Sequence, residues 1–202
     1  MNAFDRLPPF GLVYDFLGSQ AVGQLLTDVQ SRLDTFRDST IGYGEGLKID
    51  KTRRCSCVLR EIGDFCGQVE YRMRELMPTM VERLGGAQFT PYRFEMEMAA
   101  HGDGAFFARH TDLHPDPESV RVISCVYYFH ELPRAFSGGV LRLHSLAASG
   151  QQGTFVDVEP HCDMLVFFHS WFPHEVLPIS CPSGRFIDSR FAINCWIHRG
   201  IS

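Results

Sequence analysis

The sequence predicts an α+β protein: a double-stranded β-helix, or jelly roll, with supporting helices ahead of it. Three observations carry this expectation. Apolar residues recur at helical spacing in two stretches before residue 88. From Phe89 the apolar period changes to two, the alternation of a strand with one buried face. Beyond that point eight short runs are separated by turns such as Ser137-Gly138-Gly139 and Ser149-Gly150, a pattern suited to a closed double sheet. The expected organisation is one domain over residues 1–202, with 1–88 mainly helical support and 89–202 the β core.

Taken in order, residues 1–18 read as a loop and a short apolar strand after Pro8-Pro9. Val22, Leu25, Leu26, Val29, Leu33 and Phe36 then follow helical spacing, with Ser19 as the expected N-cap. Residues 37–53 are rich in Gly, Asp and Lys and read as a long loop; loops of that length are uncommon unless they bind or cover something, so a substrate lid stands beside plain disorder. Residues 54–60 alternate like one exposed strand, which would put Cys55 and Cys57 on a shared face. Asp64 to Leu84 carries a second apolar stripe, including Val69, Met73, Met77 and Met80. Pro78 should kink or split that helix, and Gly85-Gly86 should end it. Strands are expected at about 92–100, 104–111, 120–129, 139–144, 154–158, 163–169, 174–179 and 189–197.

Composition narrows the function classes. Apolar content is 45% and charged content 21%, ordinary for a globular protein that needs no covalent staples. A net charge of −5 and no basic run longer than Arg53-Arg54 argue against nucleic acid, which wants clustered Lys and Arg. No apolar stretch approaches a membrane span of roughly 18 residues. Seven Cys without a Cys-x-x-Cys pair, and no leader-like N-terminus, suit free thiols in a reducing cytoplasm.

The chemistry-bearing candidate is the stretch Ala105 to Asp112. His110 and Asp112 lie two apart on an expected strand, so alternation puts an imidazole and a carboxylate on one face, able to share a metal ion. His174, following Pro173 and opening a later strand-like run, is the candidate third ligand. Two His and one carboxylate leave three positions open, the facial arrangement of non-haem Fe(II) oxygenases. Of the other histidines, His114 cannot join by helical spacing because Pro115 and Pro117 forbid a helix. His130 reads as a turn residue, and His144, His161, His169 and His198 as surface or satisfied core residues. His101 differs, because its strand leads into the metal pair.

The segment from Ala99 to Ile197 resembles the catalytic core of 2-oxoglutarate- and Fe(II)-dependent oxygenases of the prolyl hydroxylase group, which includes the hypoxia-sensing prolyl hydroxylases and bacterial relatives. The resemblance rests on His110-Thr-Asp112, Arg121 to Phe129, Ser137 to Leu143, Val158 to Phe168, Pro173 to Pro178 and Arg190 to Ile197. It implies His110, Asp112 and His174 as iron ligands. It implies Arg190 as the partner of the distal carboxylate of 2-oxoglutarate, since a guanidinium fork suits a carboxylate, and Tyr128 as a second group on that carboxylate. Arg185 competes with Arg190, and the register of Arg-aromatic-Ala-Ile-x-x-Trp favours Arg190, leaving Cys181 to Asp188 as a loop insertion. His101 stands where the group carries a tyrosine beside the co-substrate.

The cofactors implied are Fe(II), 2-oxoglutarate and O₂, with ascorbate as a candidate reductant. The reaction implied is hydroxylation of an unactivated C–H bond of a prolyl residue in a protein or peptide, with release of succinate and CO₂. The same chemistry on a small molecule such as a free amino acid is the first alternative. A jelly-roll metal-binding module without oxygenase activity, or an inert interaction domain, is the alternative of a different class.

Overall fold

The computed structural model describes residues 7–42, 44–146 and 153–201. In sequence order its elements are β1 (Phe10–Val13), α1 (Ser19–Ser31), β2 (Arg37–Asp38), β3 (Arg54–Cys55), β4 (Cys57–Leu59), α2 (Phe65–Leu84), β5 (Arg93–His101), β6 (Phe106–His110) and β7 (Ser119–Phe129). They continue with β8 (Ser137–Gly138), β9 (Leu141–His144), β10 (Phe155–Val158), β11 (Met164–His169), β12 (His174–Val176), β13 (Ile179–Ser180) and β14 (Arg190–Gly200). A seven-stranded sheet runs β1-β11-β7-β14-β5-β4-β2, a five-stranded sheet runs β10-β9-β12-β6-β3, and β8 pairs with β13. Mostly β structure with two helices is thus what the sequence forms. All eight strands expected after Phe89 are present, as β5, β6, β7, β9, β10, β11, β12 and β14. The expected turn at Ser149-Gly150 lies outside the described residues.

Strand alternation sorts the large sheet into two faces. On β7, Ile123, Cys125, Tyr127 and Phe129 face the helices, and on β14 Phe191, Ile193, Cys195 and Ile197 do the same. They pack against Leu25 and Val29 of α1 and Val69, Met73 and Met80 of α2, all at 0% exposure. Burying each such residue stabilises the fold by about 1.5–3 kcal/mol, so the helices are held by this layer. The other phase of the same strands points between the sheets. There Tyr128 and Ala192 meet Leu141, Leu143, Val158 and Phe168, and the alternate positions Arg190, Asn194 and Trp196 line a pocket.

Several local expectations are corrected. The short apolar strand expected within residues 1–18 is present as β1, and the first 88 residues supply strands β1 to β4 to both sheets as well as the two helices. Residues 37–53 open with β2 paired to β4 and carry an Ile41–Lys48 bridge. Residues 54–60 are not one strand: β3 joins the small sheet and β4 the large one. The crossover falls at buried Ser56, whose hydroxyl meets that of Ser39 at 3.1 Å, so Cys55 and Cys57 end in different sheets.

Ser19 is not the N-cap either. The cap is Gly18, with φ of 88° and no side-chain bond of its own. Asp163 acts from across the molecule, its Oδ1 and Oδ2 accepting the Leu17 and Gly18 N–H groups at 2.9 and 2.8 Å. Finally, α2 runs unbroken through Pro78, which sits on its exposed face. It ends as expected, with left-handed Gly85 and bonds from the Gly85 and Gly86 N–H groups back to Glu82 and Val81.

Candidate metal centre

His110 closes β6 and His174 opens β12, and the two residues are direct partners in the ladder. Beyond them the pairing shifts, so that Val176 meets Phe107. Three steps along β6 match two along β12, a bulge that re-phases β6. Phe107 and His110, which plain alternation would put on opposite faces, therefore stack at 3.5 Å between centroids and 16° between planes. Asp112 lies past the end of β6 rather than on it. It is placed by its N–H bond to the Ser170 carbonyl at 2.9 Å. The two-residue spacing works because a loop, not a strand, turns the carboxylate inward.

The three ligand atoms lie within 4.8 Å of one another. His110 Nε2 is 3.6 Å from Asp112 Oδ1, and His174 Nε2 is 3.4 Å from Asp112 Oδ2. Each imidazole is oriented from behind: His110 Nδ1 is 2.9 Å from the Ala108 carbonyl, and His174 Nδ1 is 3.0 Å from that of Phe172. A carbonyl only accepts, so Nδ1 carries the proton in both rings and the Nε2 lone pairs face Asp112. Burial pulls His174 down to about 4, with Asp112 only partly countering it. Burial pushes Asp112 up, but His174, His110 and the Ser124 hydroxyl outweigh it and hold the carboxyl well below its ordinary range. Two imidazoles presenting Nε2 lone pairs and an ionised carboxylate are the donor set a divalent transition metal takes.

Next to this set lies a buried cation. Arg190 is 1% exposed, donates from Nη1 to the Gly139 carbonyl at 3.2 Å, and has an Nε without a partner. Among the described residues no carboxylate pairs with it. Its guanidinium carbon stands 5.1 Å from the centre of the Tyr128 ring, and the buried Tyr128 hydroxyl is also unpartnered. Burial pushes that phenol up, against the pull of Arg190, so it remains a donor. A β-carbon on Gly139 would meet Arg190 Cδ at 3.0 Å and Ile179 Cγ1 at 2.8 Å, which is why the Gly138-Gly139 pair lies here. His101, the ladder partner of Arg190, has an orphaned buried Nδ1. Burial, then the charges of Arg190 and Arg54, hold it well below the ordinary imidazole range. A buried guanidinium with no carboxylate partner, beside a His-Asp-His set, fits an anionic co-substrate that brings its own carboxylate. Arg185, by contrast, is at the surface and paired with Asp188 at 2.8 Å.

Sequence reasoning missed four residues. Ser124 donates to Asp112 Oδ2 at 2.6 Å, and the Ser170 hydroxyl supports Ser124 at 2.9 Å. Ser124 stands four residues before Tyr128 on one strand, so alternation could have found it. Arg54 and Glu97, an ion pair at 2.6 Å in the pocket wall, had no sequence signal, since they are distant along the sequence.

The fold and the site together define a class: a jelly roll presenting a facial His-Asp-His set toward a buried arginine. The 2OG-Fe(II) oxygenase superfamily model matches residues 96–198. The chain belongs to that family, whose members use Fe(II), 2-oxoglutarate and O₂. It is 27% identical over 195 residues to an uncharacterized PKHD-type hydroxylase of Synechocystis sp., covering 94% of this chain and 63% of that one. It is 26% identical over 201 residues to Egl nine homolog 1 of Homo sapiens, covering 92% of this chain and 42% of that protein. The chain thus spans less than two thirds of either relative's length. A solved Pseudomonas putida prolyl-4-hydroxylase superposes with a TM-score of 0.67 at 26% identity, over 95% of this chain and 93% of that one. No helix among the described residues is long and apolar enough to cross a membrane.

Proposed function

We propose that this protein is an Fe(II)- and 2-oxoglutarate-dependent dioxygenase that hydroxylates an unactivated C–H bond of a prolyl residue in a protein or peptide. The observation that carries this reading is the buried Arg190, which pairs with no carboxylate among the described residues, with buried Tyr128 and the His110–Asp112–His174 set beside it. A metal-binding module without co-substrate has no use for a guanidinium buried at that cost. His110, Asp112 and His174 would hold the metal. With 2-oxoglutarate and O₂ it supplies the oxidising power that inserts one oxygen atom into substrate and releases succinate and CO₂. Arg190 and Tyr128 would bind the distal carboxylate, and neutral His101 would donate or accept one hydrogen bond beside it. Leu141, Val176 and Phe107 contribute apolar wall to the pocket. The prolyl assignment draws support from the prolyl-4-hydroxylase of similar structure. The alternative substrate, a free amino acid, draws support from the charged pocket wall.

Mass spectrometry of candidate substrates for a product one oxygen heavier, with succinate measured in parallel, tests the reading. Asp112→Ala should abolish succinate formation; wild-type turnover would remove Asp112 from the ligand set. Arg190→Ala should raise the 2-oxoglutarate requirement tenfold or more, as loss of a charged hydrogen bond of about 1.5–3 kcal/mol implies. Arg185→Ala should leave it unchanged, and the reverse pattern would move the anchor to Arg185.

A further inference from the structure

The metal set and the Arg190 anchor account for one end of the pocket. Its other wall is charged, and no role given above to the metal set, Arg190, Tyr128 or His101 uses it. Arg54 reaches in from β3 and Glu97 from β5, with Nη2 to Oε1 at 2.6 Å and side chains only 10% and 11% exposed. The same Glu97 oxygen lies 3.4 Å from the amide nitrogen of Asn194, its ladder partner on β14. Arg54 Nε is occluded from solvent and has no hydrogen-bond partner. The Arg54 guanidinium lies 4.9 Å above the centre of the Phe107 ring, whose other neighbour is His110. The pair is therefore one aromatic ring away from a metal-binding imidazole. Burying two charges costs several kcal/mol per ion before their attraction is counted, and an apolar wall would serve stability as well. The arrangement presents donors on Arg54 and Asn194 and an acceptor on Glu97, with no net charge. It complements a group carrying both an N–H and a carbonyl-type oxygen close together.

We propose, resting on the oxygenase reading above, that the Arg54–Glu97 pair is the element that recognises the backbone of an amino-acid substrate. Arg54 donates to the substrate's carbonyl or carboxylate oxygen, and Glu97 accepts from its amide N–H or ammonium group. Held by those two contacts, the substrate turns the C–H bond to be hydroxylated toward the metal set. The chemistry is shared by a peptide amide and a free amino acid, and the probes separate them.

Calorimetry under argon on protein loaded with Mn(II) and 2-oxoglutarate would measure binding of free L-amino acids and of their N-acetyl amides, without turnover. At least one probe should bind wild type, and both Arg54→Met and Glu97→Gln should weaken it roughly tenfold or more, while in Glu97→Gln the affinities for Mn(II) and 2-oxoglutarate stay within about twofold. Arg54→Lys, which keeps the charge but removes the Nε–H, serves if Arg54→Met does not fold. Binding of free acids alone assigns the ammonium–carboxylate form, and binding of amides alone the peptide form. If both variants bind like wild type, or no probe of either series binds wild type, the proposal is overturned. If probes bind through the pair but no succinate forms in air, the oxygenase reading falls while this recognition site stands.

Discussion

Ser124 shows how much of the candidate centre is set by a residue outside the His-Asp-His set. Its hydroxyl is buried and spends its one proton on Asp112 Oδ2 at 2.6 Å, while Ser170 supplies the proton that Ser124 accepts. That relay fixes the rotation of the carboxylate relative to the two Nε2 atoms. Partners of this kind tune metal affinity by about 10–100-fold. Ser124→Ala should therefore weaken Co(II) binding, followed by its visible absorption, by roughly 10–100-fold, and Ser124→Thr should restore most of it. An unchanged alanine variant would show that the loop backbone alone, through the Asp112 N–H bond to Ser170, positions the carboxylate.

At the scale of elements, the order of strands is a property of local alternation, but the joints between elements are not. Asp163 begins α1 from 145 residues away, and its Oδ1 also accepts the Tyr127 hydroxyl at 3.0 Å. Asp163→Ala should remove all three bonds and cost about 2–4 kcal/mol at roughly 1 kcal/mol each plus a buried donor left unpaired, read as a drop in the urea midpoint. A loss below about 0.5 kcal/mol would show that apolar packing alone fixes the start of α1. Ser19 looked like the cap because only neighbours are visible along a sequence. The bulge in β6 was hidden for the same reason: it is defined by three residues of β6 against two of β12. The crossover at Ser56 depends on two sheets competing for one short segment. In contrast β5, β7 and β14 were legible because each is a mostly buried run of nine to eleven residues, long enough for its apolar content to stand out from the turns around it. The His110, Asp112 and His174 set was legible because its residue types are rare in apolar strands. Arg54 and Glu97 were not, since an Arg or a Glu met singly in a sequence reads as a surface residue, whereas these two are nearly buried against each other.

Across the whole molecule, β5, β7 and β14 are stitched at the end away from Arg190 by a second polar network. Glu95 accepts from Arg121 at 2.7 and 3.0 Å and lies 2.9 Å from His198 Nε2, while Ser119 meets His198 Nδ1 at 2.9 Å. Arg121 also lies over the Trp196 ring at 4.1 Å and donates to the Asp112 carbonyl at 3.3 Å, so the network braces the loop that carries Asp112. Burial pushes Glu95 up, but the bonds from His198 and Arg121 outweigh it and bring it down from 4.5 to about 2. A carboxylate lowered on folding stabilises the folded state when ionised in both states. Its contribution is whole above pH 4.5, the unfolded value, and is lost as pH falls toward about 2. Because the Glu95 carboxylate arm is 36% exposed, solvent screens it to the scale of a surface pair, about 1 kcal/mol or less. Glu95→Gln should therefore lower the urea midpoint at pH 7, and the gap to wild type should narrow steadily between pH 4.5 and pH 2. A gap that stays constant over that range would mean Glu95 acts by shape and neutral hydrogen bonding. The acid sensitivity of the sheet would then have to arise at other carboxylates.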